Sequence, residues 1–233
     1  MKLQFILIIA LHLSLLVKAQ QNFYRNFTTP DNTKIQQLIG ESYIDKNITH
    51  KGMFFRELFL PGKVVLNSMD SIDQIMLRYD CLDDQLIWLS KDNGQIKLDK
   101  LIIKTFEIRS SDTTFLFEQK KLNLKNDSTP QFYELCHKGK VQLYVQRKVI
   151  HSTDHIKLDL HYFLYKKSPQ YYLVINNKPI LIKQITIKNI YLLFPELKEK
   201  IHQRVKEANL RSKKETDFIK FIQTIDDILA EAN

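Results

Sequence analysis

Arg78 and Asp80 stand two apart in the largely apolar stretch IMLRYDCLDDQLIWL (75–89), and two chemistries follow from that spacing. On a strand the two side chains share one face, with Cα atoms about 6.6 to 6.8 Å apart, so a guanidinium and a carboxylate can pair. An unpaired buried ion costs several kcal/mol, so a structural ion pair between Arg78 and Asp80 is the expectation if that face is covered. The alternative is a ligand site in which Arg78, with Asp80 beside it, meets an anionic group.

The other groups with chemical potential weigh less. HSTDHIKLDLH (151–161) holds His151, His155, Asp159 and His161. A helix would put His151 and His155 on one face as a zinc pair. The surroundings do not read as a helix, and no acid follows His151 as HExxH requires, so a polar hairpin loop without metal is expected. Cys136 beside His137 imitates a nucleophile and its base, yet strand neighbours point to opposite faces. Gly-x-Ser-x-Gly, Walker-type and dinucleotide-binding glycine patterns are absent from the sequence. Asp83 with Asp84 and Asp226 with Asp227 read as turn and helix-surface residues. A glycosidase-like carboxylate pair is defined by separation in space, so spacing in sequence leaves it open. No catalytic residue is assigned and no cofactor is expected.

Any such groups must be carried by elements that follow an N-terminal export signal. MKLQFILIIALHLSLLVKAQQ combines Lys2, an apolar run from Phe5 to Val17 and a small-residue end at Ala19, which predicts a signal peptide over 1–19. Nothing after Val17 has the roughly 20 apolar residues a membrane helix needs. Of 35 Lys and Arg against 26 Asp and Glu in 233 residues, the signal removes Lys2 and Lys18 and no acid. The remaining surplus of seven is scattered along the chain. Outside the cytoplasm it points to envelope components or a solvated surface rather than nucleic acid. Cys81 and Cys136 are expected as a buried reduced pair, with a disulfide as the alternative; their spacing excludes a CxxC motif.

Residues 20–51 read as a polar, loosely structured lead-in with at most a short helix at TKIQQLIGESYI. Residues 52–193 read as an antiparallel β body. Pro61–Gly62 predicts a turn, and alternation through Ile75–Cys81 a strand with one apolar face. Asp83–Asp84 turns that strand back into QLIWL, which reads as covered on both faces. Lys138–Gly139 and Asn176–Asn177 mark further hairpins, the glycine being expected to supply a positive φ. From 194 the period becomes helical. Pro195 suits a helix start, Leu197, Ile201 and Val205 recur every four residues, Asn209 is a stop, and SKKE (212–215) matches a capping box. Phe218, Phe221, Ile222, Ile225, Ile228 and Leu229 then form an apolar stripe that must be buried. The fold class expected is α+β: a mainly antiparallel β body, barrel-like or sandwich-like, with two C-terminal amphipathic helices over 194–233 packed on it.

Taken together, GKVVLN, LRYDCLDDQLIWL, FYELCHKGKVQLYV, YYLVINN, LLFPELKEKI and KKETDFIKFIQTID resemble a family of uncharacterised exported proteins of the Bacteroidota, over about Gly52 to Ile228. The resemblance implies a signal peptide, a β-rich body and a helical tail, and brings no established activity. The functional expectation is a periplasmic or secreted, non-enzymatic protein that binds an unknown protein or envelope component. The alternatives are a hydrolase acting on envelope or dietary polymers, and a carrier holding an apolar ligand inside a barrel.

Overall fold

The computed structural model describes residues 23–28, 34–45, 50–92, 94–122, 129–152, 163–210 and 214–231. Strands dominate: β1 (Phe23–Thr28), β2 (Lys34–Ser42), β3 (His50–Lys51), β4 (Leu60–Leu66), β5 (Ser71–Asp80), β6 (Gln85–Leu89) and β7 (Gln95–Leu98) make the first half. β8 (Ile103–Arg109), β9 (Thr114–Lys120), β10 (Gln131–His137), β11 (Val141–Gln146), β12 (Val149–His151), β13 (Phe163–Lys167), β14 (Gln170–Ile175) and β15 (Lys178–Ile182) make the second. Among the described residues three α-helices follow, α1 (Ile187–Tyr191), α2 (Lys198–Glu207) and α3 (Glu215–Glu231).

Twelve strands form one antiparallel sheet in the order β1-β2-β7-β6-β5-β4-β8-β9-β10-β11-β14-β15, and β12, β13 and β3 form a small second sheet. The large sheet is not closed into a barrel, since β1 and β15 are its two edges. It nevertheless curls. β5 and β10 are separated by β4, β8 and β9, which in a flat sheet would put them about 19 Å apart. Yet the rings of Tyr79 and Phe132 lie 6.2 Å apart. Phe106 and Phe117 stack at 4.6 Å between them, so the hollow of the curl is filled with rings. Leu38, Leu77, Trp88 and Leu98 extend the same core.

The C-terminal half uses a helical cover instead. Val141, Leu143 and Val145 alternate along β11 to one face and meet Phe218, Phe221, Ile222, Ile225 and Ile228 of α3. The expected stripe is therefore docked, and no helix among the described residues is long and apolar enough to cross a membrane.

Several local expectations change. Residues 34–42 are a strand paired with β7, not a loose lead-in or a helix. Leu38 and Gly40 supply its inward positions, and a Cβ on Gly40 would lie 2.5 Å from the Lys97 carbonyl oxygen. A short apolar run is ambiguous between helix and strand until its partner is known. Pro61 and Gly62 sit inside β4, next to an irregularity in its pairing with β5, rather than at a turn. Gly62 is needed there because a Cβ would come within 2.3 Å of the Glu107 carbonyl oxygen. The β10–β11 hairpin does turn at Lys138–Gly139, but Gly139 supplies space and not a positive φ: its Cβ would collide with the Asp226 carboxylate of α3. Asn176 and Asn177 take φ of 50° and 62°, the twisted two-residue turn that matches flanking strands. Ile187–Tyr191, inside the span 52–193 read as a β body, is instead a short helix capped by the Thr186 hydroxyl.

Candidate functional site

The sequence-selected pair lies on β5 and does not pair with itself. Arg78 is 4% exposed and Asp80 fully buried. Arg78 donates from Nη2 to Asp45 Oδ2 at 2.9 Å and to Gln95 Oε1 at 2.8 Å. Its guanidinium lies between the rings of Phe54, 3.9 Å from the centroid, and Phe59, at 4.3 Å. That arrangement meets the demand that a buried cation be paired, with a partner 33 residues away in sequence. Asp80 instead accepts from the backbone N–H of Leu82 and Asp83 at 2.9 and 3.1 Å and from the Tyr43 hydroxyl at 3.3 Å. It holds the β5–β6 turn, and burial raises its pKa against these stabilising hydrogen bonds. The expected Arg78–Asp80 ion pair is thus replaced by two separate anchors, one tying residues 43–45 to the sheet and the other capping a turn.

Asp84 and Asp226 also exceed their expected roles. Asp84 takes hydrogen bonds from the Tyr79 hydroxyl at 2.5 Å and from the Phe132 N–H at 3.3 Å, and pairs with Lys100, so it fastens the curl of the sheet. Asp226 accepts from the Val141 N–H at 2.9 Å and lies 3.3 Å from His137 Nε2, joining α3 to the β10–β11 turn. Its neighbour Asp227 is exposed, as a helix-surface residue should be.

The histidine-rich group falls largely outside the described residues, which include only His151 and Ser152 of it. His151 packs edge-on against Tyr165 at 5.8 Å. Among the described residues no three His, Cys, Asp or Glu side chains converge as a metal site. Cys81 and Cys136 are both free. Burial pushes the Cys81 thiol up to about 12 and raises that of Cys136 as well, so neither is a ready thiolate nucleophile.

A different set of residues surrounds a cleft of about 540 Å³. It opens where four parts of the fold meet: the loop after β3, carrying Phe55 and Arg56; the sheet at β9, β10 and the end of β11; the β13–β14 corner, carrying Lys167 and Pro169; and the start of α3. Phe55, Phe115, Leu135, Pro169 and Ile219 give it apolar walls. Phe55 meets Phe115 edge-on at 5.0 Å and Phe117 at 5.2 Å, which anchors the loop to the sheet.

Four cations border the cleft: Arg56, Arg147, Lys148 and Lys167. Arg147 is fully engaged. Its Nε donates to Glu134 Oε2 at 2.5 Å, and its two terminal nitrogens clasp Glu215 at 2.8 and 2.7 Å. The Tyr171 hydroxyl donates to the same Glu215 at 2.7 Å. Burial works against the Arg147 charge, but the two glutamates outweigh it and raise its pKa. Burial likewise opposes ionisation of Glu215, and Arg147 overcomes it, so that carboxyl titrates below its ordinary range. Lys167 donates to the Phe54 carbonyl. Arg56 is exposed and lies over Phe55 and Phe115, 5.0 and 4.9 Å from their centroids. Among the described residues neither Arg56 nor the Lys148 ammonium has a carboxylate partner.

Of the cleft residues only Cys136 and, within SKKE, Glu215 are singled out in sequence, neither for a cleft, and the rest are scattered from position 55 to position 219. The one available signal was Arg147, a guanidinium at the end of the apolar strand VQLYVQ, which had to find a carboxylate somewhere. Comparison with known proteins adds no identity: no family model, curated protein or solved structure matches the chain.

Proposed function

We propose that the chain is an exported, non-enzymatic binding protein and that the cleft beside Arg147 is where it takes a small ligand with an apolar body. Support for export is the N-terminal signal pattern over 1–19 and the resemblance to exported Bacteroidota proteins. The observation that carries the binding reading is the cleft itself. Its volume of about 540 Å³ falls in the range of small-molecule sites, and an apolar wall with a few polar groups at one side is the usual composition of such sites. The walls are held by the sheet core and by the Arg147–Glu215 clasp, so the cleft is preorganised. An envelope-associated role fits a ligand of lipid-like character.

A titration with N-phenyl-1-naphthylamine, an uncharged probe that fluoresces in apolar surroundings, tests this reading. Saturable binding is expected. Thr114→Trp and Thr216→Trp place bulk at two exposed positions of the cleft border and are each expected to weaken the probe at least about tenfold, the scale on which one lost packing contact alters affinity. Absence of saturable binding, or binding indifferent to both substitutions, would overturn the assignment of the cleft.

A further inference from the structure

Resting on that reading, we infer that the ligand carries an oxyanion, a carboxylate or a phosphate monoester, at one end of its apolar body, and that Arg56 and Lys148 select it.

The charge balance of the cleft points this way. Glu134 and Glu215 are its only carboxylates among the described residues, and both are spent on Arg147. Lys167 is committed to the Phe54 carbonyl, a neutral acceptor. Among the described residues the cleft therefore sets four cations against two carboxylates, and Arg56 and Lys148 are the two whose charged ends no protein acceptor holds, beside an apolar wall where water screens charge less than on an open surface. Like charges gathered in a cleft repel one another, and an incoming anion removes that repulsion as it binds.

The setting of Arg56 is the more specific feature. Its guanidinium is presented to the rings of Phe55 and Phe115, a contact that restrains it without consuming its N–H donors. A planar guanidinium restrained by rings still offers a fork suited to two oxygens of a carboxylate or phosphate. The same two rings line the cleft, so the donor fork and the apolar wall are adjacent. A ligand whose head and body are covalently joined can use both at once, which neither a free inorganic anion nor a plain hydrocarbon can do. Arg147 plays another part: with both glutamates bound it positions α3 and is not available to the ligand.

The test measures affinities by calorimetry for decanoate, decyl phosphate, decanol and decyltrimethylammonium, four molecules with one chain and different heads, below their micelle-forming concentrations. An anionic head is expected to bind about tenfold or more tighter than decanol, the worth of roughly one charge-assisted hydrogen bond, and the cation weakest. The Arg56→Gln, Lys148→Gln double variant is expected to bring the anion within about threefold of decanol. Stronger binding of decanoate assigns the site to free carboxylic acids, and stronger binding of decyl phosphate to phosphate head groups. Decanol binding as well as both anions, or a preference that survives the double variant, would overturn the oxyanion inference while leaving the cleft's binding role intact. Failure of the uncharged probe and of all four chains to bind would overturn the cleft's binding role and the inference with it.

Discussion

The separation of Arg78 from Asp80 predicts a particular pattern of energetic coupling. Arg78→Met keeps the apolar stem between Phe54 and Phe59 and removes the guanidinium. What is lost is one charge-assisted hydrogen bond to Asp45, worth about 1.5–3 kcal/mol, and one to Gln95, worth about 1. Contact with two rings adds about 0.5–1 kcal/mol each. The sum stands at or slightly above the 3–5 kcal/mol typical of breaking a buried pair. Asp45 is 30% exposed and can recover solvent, so the lower part of that range, about 3 kcal/mol, is expected. In a chain of this size that is a fall in Tm of about 6–12 °C.

Trp88, the single tryptophan, sits 3% exposed on the strand paired with β5 and reports unfolding in urea. Two double-mutant cycles follow from it. Arg78→Met with Asp45→Ala should show a coupling of about 1.5–2.5 kcal/mol, because each single change already breaks the shared bond. Arg78→Met with Asp80→Ala should be additive within about 0.5 kcal/mol, because Asp80 spends its oxygens on Leu82, Asp83 and Tyr43. Coupling above about 1 kcal/mol in the second cycle, or none in the first, would refute the assignment of partners.

The Arg147 clasp gives a pH signature. Glu215 has a folded pKa below its unfolded value, so its stabilisation is complete above the unfolded pKa of about 4.3 and is lost as pH falls through the folded value. Glu215→Gln should lower neutral-pH stability by about 1–3 kcal/mol, and the gap between variant and wild type should close between about pH 5 and pH 3. Asp80 and Asp84, raised by burial, act with the opposite sign in both proteins and cancel from that difference; a gap that stays constant with pH would contradict the clasp. For export, mass spectrometry of the protein recovered from outside the cytoplasm should give an N-terminus at or near Gln20, and an intact Met1 form in the soluble cytoplasm would count against the signal.

Period and turn chemistry made most of the body legible. Ile75 to Cys81 alternates because β5 has one face on the aromatic core, and Leu86, Ile87 and Trp88 are all buried because β6 has cover on both. Phe218 to Ile228 is apolar at helical spacing because α3 lies across β11. Where local and long-range demands differ, the sequence was a poorer guide. Gly62 and Gly139 look like turn glycines, yet what fixes them is a backbone or a carboxylate arriving from 45 and 87 positions away in the chain. Arg78 and Asp80 are two apart and charged, yet each is answered by groups that strand periodicity cannot place beside it, Asp45 above all. The cleft is the extreme case. Its clasp joins residues 68 apart, and its Phe55 ring comes from a loop whose course is set by Phe115 and Phe117 on another strand.

The form of the sheet also decides where a ligand can be held. A closed barrel would have offered its interior, and an apolar cargo would have needed no other site. Here the sheet curls without closing, and the hollow it makes is occupied by Tyr79, Phe106, Phe117 and Phe132 in mutual contact. Space is left at the outer seam instead, where α3 ends its contact with β10 and β11 and the Phe55 loop comes over β9. Helix α3 therefore has two effects from one docking: its apolar stripe covers the C-terminal half of the sheet, and its first turn brings Glu215 to neutralise Arg147. Among the described residues this leaves Arg56, Lys148 and Lys167 as the cleft cations without a carboxylate, and Lys167 is held by the Phe54 carbonyl. Changes at Glu215 should consequently reach ligand selection as well as stability, since an Arg147 held by Glu134 alone turns its terminal nitrogens toward the cleft as a competing guanidinium.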